Sequence, residues 1–268
     1  SGKKAAFITK IGQTLLPNAN VVNPFNVSIQ TTGHNCAAII RYAPYNFFYD
    51  FHKSDLGEYL TLCCNENDVF VDVGANLGGY SFMAKRLGLQ VYAFEPFPEL
   101  AQFLESNSDA YGKVFPIALS DSSGNLKFHI SDSNTGGSSL VESTLPDVES
   151  GYSRRTLVEV RRGDEILDSV GKIRLLKIDV EGNEEKTVKG FHNLFKANKI
   201  QSVWCEVRGP KSDRNANSYI EVCNYLAQFG FMPFLYKNGN TRPFKASAEG
   251  EELDQFFDLL FEQAVSRV

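Results

Sequence analysis

One stretch limits what this chain can fold into more than any other: Asp68-Val69-Phe70-Val71-Asp72-Val73-Gly74-Ala75-Asn76-Leu77-Gly78-Gly79-Tyr80-Ser81. Val69, Phe70, Val71 and Val73 form a short apolar run, the pattern of a strand covered on both faces of a parallel sheet. Gly74, Gly78 and Gly79 then remove side chains where backbone must turn sharply or approach a ligand. A helix opens behind them. Strand, glycine turn and helix in this order build a nucleotide site at the carboxyl edge of a sheet.

Two residues choose among nucleotides. A dinucleotide turn, G-x-G-x-x-G, needs a central glycine so that backbone reaches a pyrophosphate. Asn76 stands at that position. Asp72 adds a carboxylate at the mouth of the turn, repulsive beside a pyrophosphate and favourable beside a sulfonium. The form D-x-G-x-x-x-G (Asp72, Gly74, Gly78) therefore points to S-adenosylmethionine. The competing readings are an unliganded tight turn and an NAD-dependent oxidoreductase. The oxidoreductase leaves both Asn76 and Asp72 unexplained.

With 268 residues and 43% apolar content the chain can bury a full core. A formal net charge of -5 gives no general attraction to nucleic acid or acidic lipid. The one basic cluster, Arg154-Arg155 with Arg161-Arg162, flanks an apolar alternation; it reads as a solvated strand face or the rim of an acidic substrate site. Cys36, Cys63, Cys64, Cys205 and Cys223 are odd in number and lack C-x-x-C spacing, which fits a reducing compartment. No signal pattern or bilayer-length apolar run is evident, so a cytoplasmic protein is expected. Ser1-Gly2 without an initiating Met reads as a cloning remnant, with native residues missing upstream.

Ahead of the glycine turn, a helix is expected over 5–16, strands within 27–42, and a helix over 55–63. The aromatic run Tyr42, Tyr45, Phe47, Phe48, Tyr49 and Phe51 suits packing of an extension onto the sheet, or an acceptor pocket. After the turn come a helix to Leu87, a strand over 90–94 ending in Glu95-Pro96, and a helix over 98–107. Glu95 lies at the spacing where an acidic side chain meets ribose hydroxyls. A third strand is expected over 114–119, ending at Ser120-Asp121. Asp121 is either an adenine contact or part of a plain turn. Added strands at 126–130 and 157–160 enclose a Ser/Gly-rich loop (131–139), a candidate lid. Beyond a short helix over 163–170, strands at 174–178 and 201–205 end in Lys177-Ile178-Asp179-Val180-Glu181-Gly182 and in Glu206. Between and after them come a helix starting at 184–189, one over 219–229, and a terminal hairpin from 231–236 and 241–244. Leu253, Phe256, Phe257, Leu260 and Phe261 have the spacing of a last helix.

These motifs together resemble one family, the FkbM-type S-adenosylmethionine-dependent methyltransferases. The resemblance rests on Val71-Asp72-Val73-Gly74-Ala75-Asn76-Leu77-Gly78, Phe94-Glu95-Pro96, Ala118-Leu119-Ser120-Asp121 and Leu176-Lys177-Ile178-Asp179-Val180-Glu181-Gly182 with Glu184 following, in the family's order over about 55–240. The Asn134-Thr135-Gly136-Gly137-Ser138 loop also resembles a family segment. It implies an α/β, Rossmann-like class I methyltransferase: a mostly parallel seven-stranded sheet with helices on both faces. It also implies donor contacts from Asp72, Gly74, Asn76 and Glu95, and an acceptor hydroxyl on a sugar, glycan or natural product. Residues 1–54 are expected to be an extension packed on a methyltransferase domain over 55–268.

The expected donor site comprises Asp72, Gly74, Ala75, Asn76, Gly78, Ser81, Glu95, Pro96, Ser120 and Asp121. For an in-line O-methyl transfer the chain must supply a base. Asp179 is the first candidate, then Glu181 and Glu206, with Lys177 holding an acceptor oxygen or pairing with Asp179. A structural ion pair is the alternative use of Lys177 and Asp179. The three carboxylates also raise a divalent cation as an alternative; the expected site holds none. Transfer to RNA or protein is the other reading. No oligomeric state is legible.

Overall fold

The computed structural model describes residues 21–22, 28–29, 54–131, 135–142, 152–210, 212, 218–245 and 256–263. The helix expected over 5–16, nearly all of the strands within 27–42 and the aromatic run over 42–51 lie outside these residues. Val21–Val22 and Ser28–Ile29 pair antiparallel with each other.

The apolar run Val69–Val73 is β1, buried along its whole length. Period-two alternation sends Val69, Val71 and Val73 into one core and Phe70 into a second, with Leu56, Tyr59 and Leu60 of α1 (Asp55–Cys63). Ser54 caps α1, its hydroxyl accepting from the Gly57 N–H at 3.0 Å. The glycine turn leads into α2 (Gly79–Arg86), then β2 (Gln90–Phe94), α3 (Pro98–Ser106), α4 (Ser108–Tyr111) and β3 (Lys113–Phe115). Pro98 at the first helical position and the buried Leu100, Ala101, Phe103 and Leu104 account for α3.

The chain then leaves the main sheet. β4 (Ala118–Leu119), β5 (Gly124–Ile130) and β6 (Arg154–Arg161) form a separate three-stranded sheet in the order β4-β6-β5. After α5 (Gly163–Leu167) the chain returns through β7 (Ile173–Ile178), α6 (Glu184–Lys189), α7 (His192–Lys196), β8 (Ile200–Arg208), α8 (Ser218–Ala227), β9 (Phe231–Lys237), β10 (Asn240–Pro243) and β11 (Phe256–Gln263). The main sheet runs β10-β9-β11-β8-β7-β1-β2-β3. Strands β3, β2, β1, β7 and β8 are mutually parallel, whereas β11 pairs antiparallel with β8 and β9, and β10 with β9. Chain order departs from β1 in both directions, toward β2 and toward β7. That reversal opens a crevice at the carboxyl ends of the strands.

Three expectations need correction. The sheet has eight strands, not seven: five are mutually parallel as expected, but β11 enters antiparallel between β8 and β9 and β10 adds an antiparallel edge strand, so the sheet is mixed. The strand expected over 114–119 is split: Lys113–Phe115 stays in the main sheet and Ala118–Leu119 joins the small one. Pro116 lies between them and has no N–H for a ladder. The last helix is a strand. Phe256, Phe257, Leu260 and Phe261 fit helical spacing, yet Leu259, Leu260 and Phe261 are consecutively buried and pair with Cys205, Trp204 and Val203. A strand flanked on both sides within a covered sheet buries both faces, and such runs mimic a helical stripe. The hairpin of β9 and β10 is therefore not terminal. Its Asn238-Gly239 turn has φ of 48° and 73°, the two positive angles of a tight right-twisting hairpin. No helix among the described residues is long and apolar enough to cross a membrane.

Candidate active site

At the crevice, the turn after β1 closes on the end of β2. Gly74 N–H and Ala75 N–H both donate to the Phe94 carbonyl at 3.0 Å. Glu95, next along the chain, spans the turn: one carboxylate oxygen accepts from Asn76 N–H at 2.6 Å and the other from Phe97 N–H at 2.7 Å. Burial raises the Glu95 carboxyl to about 7, against the pull of those two N–H donors and of Lys177. Gly74 has φ +78°, and a Cβ there would lie 1.8 Å from the Asp179 carbonyl oxygen. Its missing side chain is thus required by the strand end of β7 as well as by the turn.

The pocket at this edge encloses about 620 Å³ including its open mouth. Its polar side is Gly74, Asn76, Glu95, Asp179, Glu181 and Asn183; its apolar side includes Ile117, Leu119, Phe128 and Leu140. Of the expected site residues, Gly74, Asn76, Glu95, Pro96, Asp179 and Glu181 line it.

The other expected residues stand behind this surface. Asp72 does not line the pocket; it alternates with Val71 and Val73, whose side chains lie in the first core. Asp72 is fully buried, accepting from Ser81 Oγ at 2.6 Å and lying 3.0 Å from Lys177 Nζ. Asp72 and Lys177 are register partners on β1 and β7, so the ladder itself sets this ion pair. Ala75 is buried in the core formed with α3. Gly78 caps α2 with φ +77°, where a Cβ would lie 2.6 Å from Leu104 Cδ2, so it serves helix packing. Ser120 is buried, 3.3 Å from Asn183 Nδ2. The Asp121 carbonyl accepts from Arg162 at 2.6 Å, outside the pocket lining.

Phe128, Leu140 and Asn183, with Ile117 and Leu119, line the pocket without having been expected there, whereas Ser138 belongs to the expected lid loop. Phe128 lay within an expected strand, but only the small sheet carries it to the pocket. Gly136 and Ser138 of the Ser/Gly-rich loop line this wall. Ser139 pairs backbone to backbone with His129 at 2.8 and 2.9 Å, and its hydroxyl donates to the Glu181 carbonyl at 2.6 Å.

The end of the β7–β8–β11 strands carries a charge cluster. The carboxylates of Asp179, Glu181 and Glu206 come within 4.8 Å of one another. Lys177 lies 3.5 Å from Asp179 on one side. Arg208, almost fully buried, contacts Glu181 directly and lies 3.6 Å from Glu206. Burial first, then the charge of Asp179, raises the pKa of both Glu181 and Glu206, Glu206 the more strongly. Asp258 of β11 stands opposite Glu206 in the strand register and was missed because that segment reads as a helix. The oxygens of Asp179, Glu181 and Glu206 are suitable ligands for Mg²⁺ or Ca²⁺. Arg208 already pairs with two of them, so a cation would compete with the guanidinium.

The Methyltransferase FkbM domain family matches residues 72–233, well over half of the chain. The chain belongs to the FkbM methyltransferase family. Residues 72–233 are thus a methyltransferase domain of that family. Among curated relatives, the FkbM chain is 35% identical to "Hexuronic acid methyltransferase AglP" of Haloferax volcanii over 137 residues, 49% of this chain and 53% of that protein. It is 30% identical to "Methyltransferase sdnD" of Sordaria araneosa over 156 residues, 46% of this chain and 60% of that one. The chain thus spans a little over half the length of these curated relatives. A TehB-like SAM-dependent methyltransferase from Corynebacterium glutamicum overlays with a TM-score of 0.46 at 10% identity, over 86% of this chain and 97% of that one.

Proposed function

We propose that this FkbM protein transfers a methyl group to a hydroxyl of a sugar, glycan or natural product, with residues 55–268 as the catalytic domain and 1–54 as an extension. The observation that carries this reading is Asp179: a carboxylate about one-third exposed, lining the pocket beside the Gly74 turn. The pocket's chemistry fits the donor. Glu95 and the turn supply polar partners for a ribose, and Ile117, Leu119, Phe128 and Leu140 supply an apolar slot for an adenine.

When bound, S-adenosylmethionine supplies an electrophilic methyl group on a sulfonium that leaves as a neutral thioether. Asp179 takes the proton of the acceptor hydroxyl as its oxygen forms the new C–O bond and the C–S electron pair passes to sulfur. Such proton transfer contributes on the order of a hundred- to ten-thousand-fold. Glu181 and Glu206, whose pKa values burial raises, offer hydrogen bonds to neighbouring acceptor oxygens. The wall latched by Ser139 excludes water from the apolar slot. The hexuronic acid named for the relative supports a sugar acceptor.

The test is methyl transfer from labelled S-adenosylmethionine to parallel panels of sugars, uronic-acid glycans, peptides and RNA. Methyl ethers on the carbohydrate panel are expected; transfer only to RNA or peptide overturns the reading. Asp179→Asn is expected to lower turnover at least about a hundredfold while S-adenosylhomocysteine still binds within about threefold. Wild-type turnover would clear Asp179 of the role.

A further inference from the structure

The Asp72 carboxylate, which the glycine motif presents as the attractor of a cationic donor, does not line the pocket. Its place is under the turn, against Lys177. Lys177 is itself almost fully buried and makes three contacts with one ammonium: Asp72 Oδ1 at 3.0 Å, the Gly74 carbonyl at 2.8 Å and Asp179 Oδ2 at 3.5 Å. Gly74 belongs to the donor turn, and Asp179 lines the pocket on the acceptor side. One side chain therefore joins the two halves of the site, on strands that the ladder holds in register at Asp72 and Lys177.

We propose that Lys177 is a positioning residue that fixes the Gly74 carbonyl and the Asp179 carboxylate relative to each other, with Asp72 as its buried counter-ion and Asp179 as the carboxylate that faces the donor sulfonium. This inference rests on the donor reading of the pocket. Burial alone favours a neutral amine at Lys177, yet Asp72 and Asp179 outweigh it and raise its pKa. The ammonium thus stays charged and partly screens Asp179. A neutral replacement of the Asp72–Lys177 pair leaves net charge unchanged but frees Asp179 from that screening. The two donor-site ligands, S-adenosylmethionine and S-adenosylhomocysteine, differ by the methyl group and its sulfonium charge. The ratio of their affinities is therefore a gauge of the field at the sulfur.

Lys177→Met alone would strand the buried Asp72 charge and is prone to misfold. The informative variant is the charge-balanced Asp72→Asn/Lys177→Met pair, with Asp179→Asn beside it as a partly exposed change that keeps the fold. Affinities for both ligands are measured by calorimetry at neutral pH. In the paired variant, loss of the bond to the Gly74 carbonyl is expected to weaken both ligands, by about tenfold for S-adenosylhomocysteine. The ratio should move at least about threefold toward S-adenosylmethionine. In Asp179→Asn it should move by a similar factor the other way. A role confined to stability would lower the melting temperature and leave both ratios at the wild-type value; that result overturns the proposal. If the paired variant does not fold, an unmoved ratio in Asp179→Asn overturns it alone. Wild-type protein binding neither ligand would overturn the donor reading and this inference with it.

Discussion

The wall of the pocket formed by the β1 turn and the wall formed by the ends of β7 and β8 meet at Gly74 and Asp179, but they are assembled differently. The turn is set by near neighbours in the chain: the N–H groups of Gly74 and Ala75 donate to the Phe94 carbonyl and that of Asn76 to the Glu95 carboxylate, one strand away. The opposite wall takes Asp179 and Glu181 from the end of β7, backed by Glu206 and Arg208 of β8, and holds them by charge. A wall made of backbone geometry tolerates almost no added atom. A wall made of charges tolerates shape changes and responds to protonation.

Gly74→Ala gives the sharpest break between the two. A Cβ at φ +78° and 1.8 Å from the Asp179 carbonyl must push the walls apart. The expected loss exceeds about 4 kcal/mol of unfolding free energy, read from denaturant titration. A loss under 1 kcal/mol would mean that the two walls are not in fixed contact.

Glu95 sharpens the comparison, since it is the titrating group of the backbone-built wall. Its folded pKa, about 7, lies above the unfolded carboxylate value of about 4.3. The folded protein therefore holds a proton that the unfolded chain releases between about pH 4.3 and 7. Its contribution to stability is present below that window and lost as pH rises through it. Hydrogen-bond acceptance from ribose grows in the same direction. S-adenosylhomocysteine affinity is expected to rise several-fold from pH 6 to pH 8, and Glu95→Gln should weaken binding about tenfold and flatten that rise. A pH profile identical in the variant would assign the titration elsewhere.

The smallest effect belongs to Ser139→Ala. Its hydroxyl donates to the Glu181 carbonyl and accepts from Val141 N–H within the loop; the link across to Glu181 is worth about 0.5–1.5 kcal/mol. Stopped-flow dissociation of S-adenosylhomocysteine should quicken by two- to tenfold if the loop is a wall that must open. An unchanged rate would mean that the ligand leaves by the mouth.

What the sequence disclosed follows the same division. The strand, the glycine turn and Glu95 were legible because their geometry depends on neighbours in the chain and leaves a spacing behind. Asp72 was legible as a motif residue, but its burial against Lys177 follows from the register of the neighbouring strand, which the sequence does not carry. Phe128 and Asn183 reach the pocket only through tertiary placement of the small sheet and α6. Asp258 was hidden by a coincidence of spacing: the strand Phe256–Gln263, buried on both faces only at Leu259, Leu260 and Phe261, carries apolar residues that also satisfy a helical stripe.

The location of that strand bears on how the protein comes to be made. β11 lies between β8 and β9 in the sheet but follows both in the chain. On the ribosome, β8 therefore waits with an unpaired edge and β9 without a seat until residue 263 has emerged. The parallel half from β1 to β8 can order first, and the keystone arrives late. Nascent chains halted before β11 should present that open edge to chaperones or to one another.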